Sequence, residues 1–115
     1  MTLRQKQSEF AILIASLIKY AYNLGYEITF GETLRSEEEA KRLKRLGKGI
    51  YPSLHMYKLA IDLNLFKDGK YLSSTESHRV LGEWWEKLSN SEYTCCWGGR
   101  FKDGNHYSIS HYGLK

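Results

Sequence analysis

The sequence predicts an α+β fold: a small, mostly antiparallel β-sheet with helices packed on it. Three features favour this class, namely helical spacing of apolar residues near the N-terminus, strict alternation near the middle, and an element order α-β-α-β-β-α-β. The chain has 115 residues. This length leaves room for one hydrophobic core, so we predict a single domain over residues 1–115.

The first half of the chain predicts a helix, a strand and a second helix. Apolar residues recur every three or four positions from Phe10 to Leu24, and Gly25 is a usual residue just past a helix end. A capping-box pattern, Ser36-x-x-Glu39, starts the second helix. The predicted elements are a helix over about Arg4–Leu24, a strand over Tyr26–Phe30, a connector over 31–34, a helix from Ser36 to about Leu46 and a loop over 47–52.

The second half predicts two paired strands, a third helix and a last strand. Apolar side chains alternate with small or polar ones from Leu59 to Leu65, which is typical of a half-buried strand. Asp68-Gly69 favours a hairpin turn, because such turns need positive φ angles. The predicted elements are a strand ending near Phe66, a return strand over 70–72, a helix from a second capping box at Ser73-x-x-Glu76 to about Leu88, a loop or short strand over 89–96, a break at 97–99 and a strand over Asn105–Ile109.

The charge of the chain is compatible with an anionic partner. The net charge of +4 suits nucleic acid, a membrane surface or a polyanionic cell wall. The main basic cluster, over residues 41–48, lies on one predicted helix and its end, where a solvated helix face explains it equally well. No aromatic residues interleave with this cluster, which argues against a nucleic-acid-binding domain. Cys95 and Cys96 are neighbours and form no disulfide framework, as expected for synthesis in a reducing compartment.

The N-terminal apolar run resembles a signal peptide only superficially. Arg4 and Lys6 precede the run Phe10–Ile18, but Glu9 interrupts the charged region and Lys19 follows at once. The run is also shorter than the roughly 20 residues of a membrane span. We therefore expect a packed helix without stable membrane insertion and with no evident export signal.

Two short motifs predict a metal site. His55 precedes Asp62 by seven residues, and Asp62 lies in the predicted strand, where aspartate is depleted. Asp103 precedes His106 by three residues. Two histidines and a carboxylate are one ligand set of catalytic zinc, so we predict that His55, Asp62 and His106 bind Zn²⁺. Asp103 is then placed to act as general base for a water molecule.

Each of these residues also has an ordinary explanation when it is taken alone. Asp103 fits an Asp-Gly turn, and a single loop histidine commonly has no role. Two other histidines compete for the ligand roles. We expect His78 to face solvent in the first turn of a helix, and His111 to lie near the site rather than in it.

Three further residues are candidates for contact with a substrate. Arg35, just ahead of the second helix, has guanidinium donors that suit a carbonyl oxyanion or a carboxylate, although a surface charge explains it too. Ser53 either bonds the substrate or shapes the turn before His55. Trp97 either forms the floor of a cleft or fills the core.

At these residues the sequence resembles the zinc D-Ala-D-Ala carboxypeptidase and L-alanyl-D-glutamate endopeptidase family, which has the hedgehog/DD-peptidase fold. That family carries S-x-H-x-x-G-x-A-x-D, followed later by an acid, two residues and a histidine. Ser53, His55, Ala60 and Asp62 match the first motif, and Asp103 and His106 the second. Arg35 resembles the family arginine that stabilises the transition state. The L-G-E-W-W of 81–85 and the W-G-G-R-F of 97–101 are similar to compact phage endolysin-type members.

The sequence departs from the family pattern at two places. Lys58 replaces the motif glycine, so we expect a somewhat different turn between the first two ligands. Tyr107-Ser108 follows His106, where many members have an aromatic residue and then Glu or Gln. Both departures concern substrate preference more than metal binding.

The resemblance implies a zinc metallopeptidase that cuts peptidoglycan stem peptides. In that reading Zn²⁺ binds His55, Asp62 and His106, Asp103 is the base, and Arg35 stabilises the oxyanion. The predicted protein is a monomeric phage or prophage lysin that cuts the L-alanyl–D-glutamate bond after release from the host cytoplasm. Alternatives are a D,D-carboxypeptidase with the same site, or a non-catalytic wall-binding module that keeps zinc for stability, for which Asp103 would have no use.

Overall fold

In the computed structural model, which describes residues 1–49 and 51–115, three α-helices accompany a five-stranded antiparallel sheet. The predicted α+β class is thereby confirmed. Ile50, inside the predicted loop 47–52, lies outside the described residues. The helices are α1 (Leu3–Asn23), α2 (Glu37–Arg45) and α3 (Arg79–Glu86), and the strands are β1 (Glu27–Phe30), β2 (Ala60–Lys67), β3 (Lys70–Leu72), β4 (Cys95–Trp97) and β5 (His106–Ile109). Short 3-10 turns cover Leu54–Tyr57, Glu76–His78 and Gly98–Phe101.

Strand β2 is the strand on which the sheet is built. The strand order is β1-β2-β5-β4, and β3 also pairs with β2. The C-terminal part of β2 pairs with β1 and β3, whereas its first three residues pair with β5. In this register Asp62 lies directly opposite His106. Residues in that relation have Cβ atoms about 5 Å apart, so the sheet itself brings two predicted ligands together.

The core lies between α1, α3 and one face of the sheet. The predicted alternation of β2 is confirmed, since Ile61, Leu63 and Leu65 are buried while Asp62 and Asn64 are partly exposed. Each fully buried side chain of this kind contributes roughly 1.5–3 kcal/mol. The apolar face of α1 closes the core with Phe10, Leu13, Ile14, Leu17 and Ala21.

The structure confirms the helix start predicted at Ser36 but not the one predicted at Ser73. At α2 the Ser36 hydroxyl accepts the Glu39 N–H at 3.0 Å, as predicted, although the Glu39 carboxylate pairs with Arg42 instead of completing the box. The capping box predicted at Ser73 was wrong. The Ser74 hydroxyl accepts the Ser77 N–H at 3.1 Å, and a 3-10 turn precedes α3. The helix therefore begins later than expected.

Trp97 occupies the core rather than a break in the chain. It is the last residue of β4 and is 1% exposed, and its indole N–H donates to the Gly104 carbonyl at 2.7 Å. Gly82 of α3 packs on the indole ring so closely that an added Cβ would lie 2.0 Å from it. Of the two alternatives that the sequence left open for Trp97, the structure therefore shows the core position.

Candidate metal centre

His55, Asp62 and His106 converge on one point where the central strands β2 and β5 pair. One potential ligand atom from each lies within 4.8 Å of the other two. Asp62 and His106 come from the paired strands β2 and β5, and His55 comes from the 3-10 turn just before β2. The sequence prediction that these three residues lie together thus agrees with the geometry.

The distances within this cluster suit a small divalent cation. Asp62 Oδ1 lies 3.5 Å from His55 Nε2 and 3.7 Å from His106 Nδ1. Donors of a tetrahedral zinc ion with bonds of 2.0–2.2 Å lie roughly 3.3 Å apart. Asp62 Oδ1 is buried and has no hydrogen-bond partner among the described residues, a costly state that coordination would relieve. The donor set and its spacing therefore fit zinc.

The charge state of Asp62 also suits a ligand. Burial raises its pKa, but the nearby imidazoles of His106 and His55 outweigh burial and lower the pKa from 3.8 to about 2. The side chain is therefore an anion at neutral pH. Metal ligands must be deprotonated, so no proton has to leave this group before a metal binds.

Asp103 lies beside the cluster on the solvent side. Its Oδ2 is 3.8 Å from His106 Nδ1, and its side chain is half exposed. Burial raises the pKa of Asp103, the negative charge of Asp62 acts in the same direction, and His106 opposes both. A raised pKa suits a carboxylate that must accept and return a proton.

A tight turn fixes Asp103 relative to His106. The Asp103 N–H donates to the Gly98 carbonyl at 2.9 Å, and the Asp103 carbonyl accepts the His106 N–H at 3.1 Å. A Cβ added at Gly98 would lie 2.0 Å from the Asp103 carbonyl oxygen and 2.6 Å from the His106 Cβ. The glycine of the W-G-G segment is therefore required for this turn to close.

Arg35 reaches the same cleft and pairs with an acid that the sequence analysis missed. The Arg35 guanidinium is largely buried and pairs with Glu32. The same Glu32 oxygen lies 3.6 Å from His55 Nδ1. Glu32 lies in the predicted connector 31–34, and the only signal for it was an acid three residues before the arginine.

These residues line one cleft of about 490 Å³. Ser53 contributes to the wall, and its hydroxyl accepts the His55 N–H at 3.2 Å, so it also shapes the turn that presents His55. Trp97 is not among the described residues of the wall. The cleft is lined by Arg35, Lys48, Gly49, Pro52, Ser53, Leu54, His55, Asp62, Phe101, Asp103, His106, Gly113, Leu114 and Lys115.

Lys58, which replaces the glycine of the family motif, keeps a glycine-like conformation. Its φ of 58° and ψ of 36° lie in the left-handed region. The lysine thus adopts backbone angles that glycine accepts more readily than a residue with a side chain does.

The other two histidines lie outside the cluster. The prediction that His78 faces solvent was wrong, because it is 2% exposed and its Nδ1 lies 2.8 Å from the Tyr107 hydroxyl. Burial lowers the pKa of His78 from 6.5 to about 4. His111 contacts Lys6 at 3.2 Å and the ring of Tyr57, and burial together with Lys6 lowers its pKa.

Fold and site together define an α+β domain with a candidate His-Asp-His metal centre in an open cleft. No family model and no curated protein sequence matches the chain. Among solved structures, the crystal structure of the L-Ala D-Glu endopeptidase ChiX from Serratia marcescens is similar, with a TM-score of 0.71 and 19% identity. The match covers 90% of this chain and 79% of ChiX, and at this identity it shows a shared fold. Among the described helices, none has the length and apolar character required to span a bilayer.

Proposed function

We propose that this chain is a zinc-dependent peptidase that hydrolyses amide bonds of peptidoglycan stem peptides, with the L-alanyl–D-glutamate bond preferred. The observation that carries the proposal is the convergence of His55, Asp62 and His106 beside Asp103 and Arg35 in one cleft. The fold shared with ChiX, described as an L-Ala D-Glu endopeptidase, supports the choice of bond.

The residues around the proposed ion have separable roles in the hydrolysis. When bound, zinc would supply a Lewis acid and lower the pKa of a water molecule. Asp103 takes the proton of the attacking water and later gives it to the leaving amine, which balances the hydrolysis. Arg35 donates hydrogen bonds to the carbonyl oxygen as negative charge develops there. Ser53 and the cleft wall hold the peptide in place.

The proposal includes a biological setting. We infer a monomeric lysin of a phage or prophage that is made in the host cytoplasm and acts on the wall after release. The net charge of +4 is compatible with an anionic wall polymer.

Defined muropeptides and mass spectrometry test this function. We expect the purified protein to cut between L-alanine and D-glutamate, to lose activity after chelation, and to regain it when Zn²⁺ is added. Release of a terminal D-alanine instead would identify a D,D-carboxypeptidase. Zinc binding without cleavage of either bond would identify a binding module and would overturn the proposal.

A further inference from the structure

We propose that Glu32 is a positioning residue that holds both His55 and Arg35 in their working orientations. This inference rests on the proposed function, because it concerns the same site. It assigns a role to a residue that belongs to neither sequence motif.

One carboxylate oxygen of Glu32 faces both partners. Oε1 pairs with the Arg35 guanidinium and lies 3.6 Å from His55 Nδ1. The opposite nitrogen of that imidazole, Nε2, lies 3.5 Å from Asp62 Oδ1. The ring is thus held between two acids, with one ring nitrogen toward the candidate metal position and the other toward Glu32.

This arrangement selects the tautomer of His55 that can bind a metal. His55 Nδ1 is buried and has no hydrogen-bond partner among the described residues. A carboxylate beside Nδ1 favours a proton on that nitrogen, which leaves the lone pair of Nε2 free for a metal. A contraction from 3.6 Å to about 3 Å makes a hydrogen bond, and such bonds often tighten when a site is loaded.

Main-chain hydrogen bonds hold the backbone around Glu32 beside the candidate ligands. The Gly31 N–H donates to the Asp62 carbonyl at 2.8 Å, and the Asp62 N–H donates to the Glu32 carbonyl at 2.8 Å. The Arg35 N–H donates to the His55 carbonyl at 3.1 Å. Segment 31–35 is therefore tied by main-chain hydrogen bonds to two of the three candidate ligands.

The pairing with Glu32 also orients Arg35. The guanidinium side chain is 13% exposed and lies in the wall of the cleft. Arg35 Nε is buried without a partner among the described residues. A guanidinium has five N–H donors, so one edge can be held by Glu32 while other donors serve the substrate. Glu32 therefore couples the metal ligand to the oxyanion donor.

Zinc affinity measured without substrate tests the inference. The variants are Glu32→Ala, Glu32→Gln and Arg35→Ala, and Glu38→Ala, which removes an exposed carboxylate of α2, is the matched control. Competition with a chromogenic chelator reports the Kd for Zn²⁺. We expect Glu32→Ala to weaken zinc binding about 10–100-fold, as for other partners of metal-binding histidines.

The remaining variants separate the charge of Glu32 from its hydrogen bond. Glu32→Gln should weaken binding by a smaller factor, because an amide oxygen still accepts the Nδ1 proton but lacks the negative charge. Arg35→Ala should weaken binding less than Glu32→Ala does, because the Glu32 carboxylate stays in the protein but loses the guanidinium that holds it. Glu38→Ala should leave the Kd within about threefold of wild type, since it does not change what His55 Nδ1 faces. In turnover assays, Glu32→Ala should also lower kcat, because Arg35 loses its partner.

The outcomes distinguish this inference from the proposed function. An unchanged Kd in folded Glu32→Ala overturns the inference and leaves the peptidase proposal intact. A weakened Kd in a protein that cleaves no stem peptide supports the inference and overturns the peptidase proposal. If wild type binds no zinc, both fall. If Glu32→Ala does not fold, the nearly isosteric Glu32→Gln decides in its place by the same criterion.

Discussion

Strand β5 carries two polar centres that differ in whether their hydrogen bonds are complete. His106 turns toward the cleft and Asp62, while Tyr107, the next residue, turns to the opposite face and bonds to His78. Asp62 Oδ1 and His106 Nε2 lack partners among the described residues, whereas His78 and Tyr107 satisfy each other at 2.8 Å. The first centre opens onto a cleft and the second is sealed.

This contrast separates a candidate metal site from a polar pair that stabilises the fold. Both centres contain a buried histidine, so burial alone does not distinguish them. What differs is that buried polar atoms of the open centre lack hydrogen-bond partners among the described residues, whereas those of the sealed centre satisfy each other. Residues of the open centre should therefore affect chemistry more than stability, and residues of the sealed centre should do the reverse.

The largest expected effect comes from Asp103→Asn at the open centre. If Asp103 is the general base proposed above, its loss should lower kcat by about 10²–10⁴-fold. The Kd for zinc should change little, since Asp103 is outside the ligand set. Because burial already disfavours the Asp103 anion, the neutral amide should not lower the stability of the metal-free protein. Steady-state kinetics and urea unfolding check both expectations, and a variant that loses stability but keeps kcat would break the contrast.

The second prediction concerns the pH dependence of stability at the sealed centre. The folded pKa of His78 is lowered to about 4 from 6.5, so the folded state favours the neutral ring. The resulting stability is fully present above pH 6.5 and is lost as the pH falls toward 4, by about 3 kcal/mol at 1.4 kcal/mol per unit.

Urea unfolding of the metal-free protein between pH 7.5 and pH 4.5 measures this dependence. His78→Gln, which keeps a polar group near Tyr107 but does not titrate, is the comparison. Its pH profile should be flatter than that of wild type, and parallel profiles would show that His78 does not carry the effect.

Tyr107→Phe tests the sealed centre without changing its shape. Removal of the hydroxyl leaves His78 Nδ1 buried without its partner, which should cost about 1–3 kcal/mol of the free energy of unfolding. The control is Tyr112→Phe at a residue that is 94% exposed, where we expect a change within about 0.5 kcal/mol. A change in zinc affinity larger than the change in stability would contradict the separation of the two centres.

The smallest effect should come from Lys58→Gly, on the path that connects His55 to β2. A left-handed backbone costs a residue with a side chain about 1–2 kcal/mol, and part of that gain is offset because glycine is more flexible when unfolded. We expect a net stabilisation of about 0.5–1 kcal/mol, seen as a higher Tm. Lys70→Gly in β3 makes the same chemical change at an ordinary φ and should destabilise the protein.

Most of the fold followed from local patterns. The alternation in β2 and the apolar spacing in α1 predicted these two elements, because each element buries one face in the core. The pairing of β2 with β5 was not predictable from either strand, because register depends on contacts between segments more than 40 residues apart. That register places Asp62 opposite His106. The two motifs predicted that these residues lie close together, whereas the alternation within each strand did not.

The missed residues share a physical reason. Glu32 and His78 take their surroundings from distant segments, namely His55 and Tyr107. The local sequence assigned Glu32 only to a connector. The helix start predicted at Ser73 led to the wrong expectation that His78 faces solvent. The actual start of α3 points His78 inward instead.

The wall formed by Gly113, Leu114 and Lys115 has a practical consequence for handling the protein. A fluorophore attached covalently at Lys115 would lie beside the candidate metal centre and would narrow access to the cleft. Tyr112 is 94% exposed and does not line the cleft, so a label at that position leaves the cleft free. Binding data from protein labelled at Lys115 would then understate affinity for reasons unrelated to the ligands of the metal.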